Sequence, residues 1–416
     1  MKRALDNGIK SSGFSASLYI HIPFCDSLCD YCDFYSININ NVNSDYIDLF
    51  LEALIKDIKE QIEFFQIKNI HTVYIGGGTP SALGRKIIVL LDALNEIPRF
   101  SPVEFSIEAN PESLTEDFLS VLRGNGVNRL SLGLQTFHER SRLTVNRKGA
   151  AVLEDRLALS AGVFHGMLSV DIITGLPYQN NDTVLDDIKR VLLYDPVHVS
   201  LYSLCVEGGT PLEDKIKTKN VILPDNDTHD SLWLTGCEAL LKAGFEHYEV
   251  SNFARAGRQC LHNVRYWQMK SWLGAGPAAS GTIVNENAGT AGRLSYKSDV
   301  NEYIKAVNSH LLTRKLERLT KDCKNLSACN KAIESINSKD DALIYEDLGK
   351  NVLLRECLLM GYRHKNGPDR RLFKRRFGVK IEDSIPMTLK KWEAKNKMLF
   401  LNSFLHDAFS ELDEAF

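Results

Sequence analysis

From residue 17 to about residue 245 the chain alternates short β-rich runs with longer stretches of helical periodicity. This alternation restricts the fold more than any other feature of the sequence. Strand-like runs fall at residues 17–22, 72–75, 103–108, 129–134, 168–173 and 198–202, and helical patterns at 44–65, 114–123, 151–161, 184–193 and 228–243. In the first helical stretch Ile47, Phe50, Leu51, Leu54, Ile55, Ile58 and Ile62 form an apolar stripe, with Ser44 placed as its N-cap. Strands separated by helices pair in parallel, because a parallel pair needs a long crossover. The expectation is an α/β fold whose six βα units form an open, partial (β/α)6 barrel.

In such folds the chemistry gathers at the C-terminal ends of the strands. That rule sorts the polar motifs. A cysteine loop follows the first strand and Gly76-Gly77-Gly78-Thr79-Pro80 the second, while Glu108-Ala109-Asn110-Pro111 ends the third. Gln135 ends the fourth, Asp171 lies on the fifth, and the segment from Tyr202 to Leu204 ends the sixth. Six separate segments are therefore expected on one rim.

Three of the nine cysteines, Cys25, Cys29 and Cys32, share one loop, and the other six are scattered. A chain of 416 residues builds a core without disulfide staples, so clustered thiols read as metal ligands in a reducing compartment. Three thiolates on a tight loop can each take a different iron of a [4Fe–4S] cubane, leaving the fourth iron without a protein ligand. A structural zinc site would need a fourth ligand nearby, and His21, on the preceding strand, is the nearest candidate.

Tyr19-Ile20-His21-Ile22-Pro23-Phe24-Cys25, the C-x3-C-x2-C loop and Gly76-Gly77-Gly78-Thr79-Pro80-Ser81 resemble the radical SAM superfamily. More narrowly the chain resembles the anaerobic coproporphyrinogen III oxidase-like family and, within it, the HemW branch of haem chaperones. The likeness continues through Ser106-Ile107-Glu108-Ala109-Asn110-Pro111, Arg129-Leu130-Ser131-Leu132-Gly133-Leu134-Gln135, Asp171-Ile172-Ile173-Thr174-Gly175-Leu176-Pro177 and His262-Asn263-Val264-Arg265-Tyr266-Trp267. The resemblance implies that Cys25, Cys29 and Cys32 hold the cluster and that its open iron takes the amine and carboxylate of S-adenosylmethionine. It implies that Gly77, Gly78, Thr79, Glu108, Gln135, Arg147 and Asp171 surround that cofactor, with Tyr19 beside the cluster loop. Arg147 as a surface ion pair and Asp171 as a helix-orienting carboxylate are the plainer alternatives.

Within the family, the oxidase carries a fourth cysteine two places after the third; here Phe34 stands there. The His262-Asn263-x-x-Tyr266-Trp267 block resembles a signature associated with haem binding, which makes His262 a candidate iron ligand with Tyr266, Trp267 and Trp272 against the porphyrin. A histidine buried by hydrogen bonding is the plainer alternative. The resemblance therefore implies haem delivery to an acceptor protein, with respiratory membrane proteins among the candidates, and an electron donor for the cluster. The alternatives are oxygen-independent coproporphyrinogen III oxidation and another radical transfer, so enzymatic activity stays open at this stage.

The expected domains are a tail at 1–16, the radical SAM partial barrel at 17–285, a helical linker or insertion at 286–345, and a small HemN-type C-terminal domain, α/β or winged-helix-like, at 346–416. Phe400-Leu401-Asn402-Ser403-Phe404 departs from the usual end of that domain. Eight cations between Arg363 and Lys380 are expected to be a solvated helix face, with haem propionates, an acidic partner or peripheral membrane contact as alternatives. A net charge of −3 gives no reason to expect nucleic acid. The first residues lack the apolar core of a signal peptide, and no apolar run is long enough to span a bilayer, so a cytoplasmic location is expected.

Overall fold

The computed structural model describes residues 14–322 and 342–415. A twelve-stranded sheet organises it. At its centre six parallel strands lie side by side: β1 (Phe14–Ile22), β2 (Ile67–Gly77), β3 (Glu104–Ala109), β4 (Arg129–Gln135), β5 (Leu168–Thr174) and β6 (His198–Ser203). Each is followed by a helix: α1 (Ser44–Phe64), α2 (Ile87–Asn95), α3 (Glu116–Gly124), α4 (Leu153–Val163), α5 (Asn181–Leu192) and α6 (Asn226–Lys242). Two details depart from expectation. The N-cap of α1 is Asn43, whose extended backbone lets its side chain accept from the Tyr46 amide, while Ser44 is already helical. The run from Ile87 to Asn95 is apolar on most sides and gave no periodic signal, yet forms α2.

The strands obey a period of two, as the pleat requires. Leu18, Ile20, Val73, Ile75, Phe105, Ile107, Leu130, Leu132, Val170 and Val199 are buried in one apolar core with the helices. The opposite face of the same strands is polar, carrying Ser17, Tyr19 and His21 on β1, Thr72 and Tyr74 on β2, Glu104, Ser106 and Glu108 on β3, Arg129 and Ser131 on β4 and Asp171 on β5, with Ser106 level with Arg129, Glu108 with Ser131 and Asp171 with Gly133. A polar face turned inward is what a barrel needs when it holds a ligand instead of packing its interior with apolar side chains.

The sheet extends past both edges of this (β/α)6 unit. β7 (Glu246–Glu249) and β8 (Asn252–Ala254) add beside β6; β9 (Trp272–Ala275) lies parallel to β1, and β10 (Ser280–Asn285), β11 (Thr290–Tyr296) and β12 (Leu343–Leu348) continue from it. Residues 286–345, expected to be helical, therefore contribute strands at both ends, because Thr290–Tyr296 pairs back on β10 through a turn at Gly289, whose φ is +66°. The helices of that stretch are α8 (Val300–Asn308) and α9 (Leu311–Asp322), and residues 323–341 of the expected insertion lie outside the described residues. β1 begins at Phe14, inside the expected tail.

Beyond β12 come α10 (Lys350–Arg363), α11 (Arg370–Phe377) and α12 (Leu401–Ala415). Leu353, Leu358, Phe373, Phe377 and Phe404 pack with Trp272, Val284, Ala291 and Leu348 of the sheet extension. No strand follows Leu348 among the described residues, so the wing of a winged helix is not formed there. Most of the basic stretch is also spoken for. Arg363 pairs with Glu249, Lys365 with Glu246, Arg370 with Glu382, and Arg375 and Arg376 with Glu286. Four of these five pairs reach the sheet or the turns beside it; Arg370 and Arg375 stay solvated within their pairs, and the solvated-face reading gives way at Arg376, which is buried. Among the described residues no helix is long and apolar enough to cross a membrane.

Candidate cluster and cofactor site

The cysteine loop leaves β1 at the C-terminal rim and is tied on several sides. Gly78 and Thr79 donate their amides to Ile22 O (2.8 Å) and Phe24 O (2.7 Å), and Asp30 N–H bonds Val145 O (3.0 Å). Leu212 N–H donates to Asp30 O (2.8 Å), Lys215 pairs with the Asp30 carboxylate, and Asn146 reaches Leu28 O (2.8 Å). Held this way, Cys25 is buried, Cys29 and Cys32 are half-buried, and all three are free thiols.

Three side chains, Thr79, Asn110 and Arg147, join two of these thiols in a continuous chain of contacts. The Thr79 hydroxyl donates to Cys25 Sγ (3.4 Å), and Asn110 Nδ2 donates to Thr79 Oγ1 (2.9 Å). Arg147 Nη2 donates to Asn110 Oδ1 (2.8 Å) and to Gly133 O, while its Nη1 reaches Cys29 Sγ (3.4 Å). Arg147 is therefore a buried arginine aimed at the loop, not a surface ion pair. Asn110 joins the two halves and was not singled out from the sequence. Its signal was present in the Glu108-Ala109-Asn110-Pro111 block, where the proline fixes the chain just past a strand end.

The glycines after β2 keep the space beside the loop clear. A Cβ on Gly78 would lie 2.9 Å from Cys25 Sγ, one on Gly77 2.7 Å from the His21 ring, and one on Gly76 2.9 Å from Glu108 Oε2. Gly77 also has φ +109°, which favours glycine. Glu108 accepts from the Tyr74 hydroxyl (2.7 Å) and the Gly77 amide (3.3 Å), and burial pushes its carboxyl up to about 7. Asp171, inward on β5, accepts from Ser131 Oγ at 3.2 Å and is pushed up to about 6, again chiefly by burial. It orients no helix. Tyr19 donates to His21 Nδ1 (3.1 Å), whose Nε2–H is given to Tyr35 O (2.9 Å), so both imidazole nitrogens are committed and His21 is no metal ligand.

Gln135 ends β4 in a left-handed conformation, φ +72°, at a register shift against β5. Such strain in a non-glycine residue persists where the surroundings impose it, often at binding sites. Its Oε1 and the Nε of Arg147 are buried with no hydrogen-bond partner. Unmatched donors and acceptors of this kind beside a glycine-cleared strand end fit a polar ligand that supplies the missing bonds.

These residues fit a cluster and S-adenosylmethionine. Burial pushes the Cys25 and Cys32 thiols up, Cys32 to about 11, so thiolates in this loop call for bound cations, which iron supplies. Among the described residues no three His, Cys, Asp or Glu side chains are placed to hold a single metal ion. A cubane makes a different demand, since each thiolate takes its own iron.

His262 is not on the rim. It sits one layer deeper at the start of α7 (Leu261–Trp267), where Glu104 accepts from the Leu261 (3.0 Å) and His262 (2.8 Å) amides. The imidazole is buried, its Nδ1 is 3.1 Å from Thr72 Oγ1, its ring is 5.3 Å from Tyr74, and burial pulls it down to about 3. The expected aromatic partners are placed elsewhere: Trp267 packs on Tyr248 and Tyr266 on Trp272. At 6% exposure the His262 imidazole is enclosed by Thr72 and Tyr74 as packed.

A parallel partial barrel with a three-cysteine loop, a glycine-cleared strand end and inward carboxylates defines a radical SAM protein. The Radical SAM superfamily model matches residues 19–191. Heme chaperone HemW of Mycobacterium tuberculosis is 35% identical over 271 residues, 64% of this chain and 69% of that one. Heme chaperone HemW of Lactococcus lactis is 33% identical over 310 residues, 72% of this chain and 78% of the other. The chain belongs to the HemW family. A solved structure of coproporphyrinogen III oxidase (HemN) from Escherichia coli superposes with a TM-score of 0.75 over 98% of this chain and 93% of that one; at 19% identity it shows the shared fold.

Proposed function

We propose that this protein is a haem chaperone that carries a [4Fe–4S] cluster and S-adenosylmethionine and passes haem to an acceptor protein. The observation that carries the reading is Phe34. It stands where the oxidase resemblance calls for a fourth cysteine, and its side chain is 65% exposed. A phenyl group there supplies no ligand or proton, and the thiol chemistry of the loop ends at Cys32. Kinship with HemW points the same way.

In this reading Cys25, Cys29 and Cys32 hold the cluster, and Thr79 and Arg147 orient Cys25 and Cys29. Gly77, Gly78 and Thr79 border the amino-acid end of S-adenosylmethionine, Glu108 accepts from its ammonium or ribose, and Gln135, Arg147 and Asp171 complete the enclosure beside Tyr19. The bound pair would supply one-electron cleavage of the sulfonium. The protein works in the cytoplasm, takes electrons from a reductase, and gives haem to respiratory acceptors.

Anaerobic reconstitution tests this, with haem uptake and transfer to an apo-acceptor measured beside coproporphyrinogen III turnover. Retained, transferable haem without turnover is the expected result. Turnover to protoporphyrinogen without stable haem uptake would replace the chaperone reading with the oxidase one.

A further inference from the structure

The turn that carries Gln135 is strained and heavily braced. Leu134 O accepts from the Thr136 amide (3.0 Å) across Gln135, whose φ is +72°. That is the rare γ-turn of positive φ, which a residue with a side chain keeps only where its surroundings impose it. The turn sits where the regular ladder of β4 on β5 breaks: Gly133 is level with Asp171 and Gln135 with Ile172, so Leu134 is an extra residue. It brings the Gln135 amide to the other polar groups of the rim. A Cβ on Gly133 would lie 3.1 Å from Gln135 Nε2, 3.1 Å from Asn110 Oδ1 and 3.3 Å from Arg147 Nη2. Gln135 Oε1 stays buried there without a partner.

Two buried charged side chains that the cofactor site does not otherwise use grip this turn from opposite sides. Arg142 lies on the short helix Glu139–Thr144. Its Nη1 donates to Leu134 O (2.7 Å) and Thr136 O (3.1 Å), the carbonyls on either side of Gln135. Its Nη2 donates to Glu112 Oε1 (2.8 Å) and to Lys148 O, and its own carbonyl accepts from the Arg147 amide (2.8 Å). One guanidinium thus ties the turn of Gln135 to the segment that carries Arg147. Asp187, on α5, accepts from Thr136 Oγ1 (2.6 Å) and the Phe137 amide (2.6 Å). Hydrogen bonds to charged groups are stronger than neutral ones, and here they converge on the backbone around one glutamine.

We propose that Arg142 and Asp187 are positioning residues, which hold Gln135 in its γ-turn and so aim its amide at S-adenosylmethionine. Their role rests on Gln135 bordering that cofactor, as proposed above. A planar fork is needed to reach two carbonyls flanking one residue, and lysine has none. Asp187→Asn keeps the shape and turns one acceptor oxygen into a donor.

The test is anaerobic calorimetric titration of the full-length, reconstituted protein with S-adenosylmethionine, beside iron content and melting temperature. Gln135→Ala is expected to weaken binding by about tenfold, the worth of one or two hydrogen bonds. Arg142→Lys and Asp187→Asn are each expected to weaken it by about threefold or more at parental iron content. In the Gln135→Ala background, Asp187→Asn is expected to add less than about twofold, because residues that act through one another are not additive. A merely structural role would lower the melting temperature and cost the same factor in both backgrounds. That additivity would overturn the proposal, as would iron lost in step with affinity. Parental affinity in one single variant would remove that residue from the clamp, and in both would overturn the proposal. If the parent protein itself binds no S-adenosylmethionine, the cofactor-site reading falls and this one with it, an outcome distinct from the others.

Discussion

Glu108 is a carboxylate whose usefulness depends on its charge. Buried beside Tyr74, with Asp171 raising it further, it is half-protonated at about pH 7. The ionised form sets a negative charge and two acceptor oxygens against an ammonium group, whereas the protonated form carries no charge and turns one oxygen into a donor. S-adenosylmethionine affinity should therefore rise as pH increases through about 7, and Glu108→Gln should flatten that dependence; calorimetric titration at pH 6 and pH 8 measures both. Gly78 gives a steric counterpart. In Gly78→Ala the methyl would meet Phe24 O at 2.8 Å and Cys25 Sγ at 2.9 Å, both rigidly held, so the loop must move. Iron bound per chain after reconstitution should drop to about half or less, with the melting temperature of the apoprotein lowered only slightly. At this scale much was legible: the cysteines, the glycines, Glu108, Gln135 and Arg147 were each expected at the rim, and the structure gathers them there. Asn110 was missed because a bridging amide has no spacing rule, and the depth of His262 because a motif on a short helix does not say which end of a barrel it caps.

Elements were legible where one face is apolar and the other not. The six parallel strands and α1, α3, α4, α5 and α6 follow their patterns, while α2, apolar on most sides, and the edge strands β7–β12 do not. Edge strands are specified by what they pair with, and that information is spread over distant segments. The contacts of α1 show how an element is fixed from afar. Asp57, fully buried, accepts from Tyr296 on β11 (2.7 Å), Tyr303 on α8 (2.8 Å) and Gln61 (3.0 Å), which in turn donates to Gly274 O (3.0 Å). Burial still dominates and pushes Asp57 up to about 6, above its value in an unfolded chain. A raised carboxyl favours folding at low pH, and that contribution is lost as pH rises through 6. Between pH 4 and pH 7 this group should cost on the order of 2–3 kcal/mol of stability. Urea denaturation of Asp57→Asn apoprotein should show a smaller drop over that interval than the parent; an equal drop would assign the effect to other groups.

At the scale of the molecule the sheet ignores the expected domain boundaries. β10 to β12 cross both, and the C-terminal helices lie on the sheet extension, not on a free linker. Arg376, fully buried on α11, makes a two-pronged pair with Glu286 (2.7 and 2.8 Å) and donates to Met269 O (2.8 Å). Gly289 beside it has room for no Cβ, which would lie 2.4 Å from Arg376 O. Removing one partner of a buried pair costs about 3–5 kcal/mol. Glu286→Ala should therefore raise hydrogen exchange across α10 to α12 while iron content stays at the parental level. The boundary was not legible because a hairpin and a strand separated by two helices carry no composition change. What remains central is a cluster held by three thiolates, with one iron left open to S-adenosylmethionine. The direct measurement is EPR of the anaerobically reduced, reconstituted protein before and after S-adenosylmethionine is added. The account predicts a [4Fe–4S]+ signal that shifts on addition and is absent from Cys25→Ala, Cys29→Ala and Cys32→Ala. A signal that does not respond to the cofactor, or that survives loss of any one of these cysteines, would contradict it.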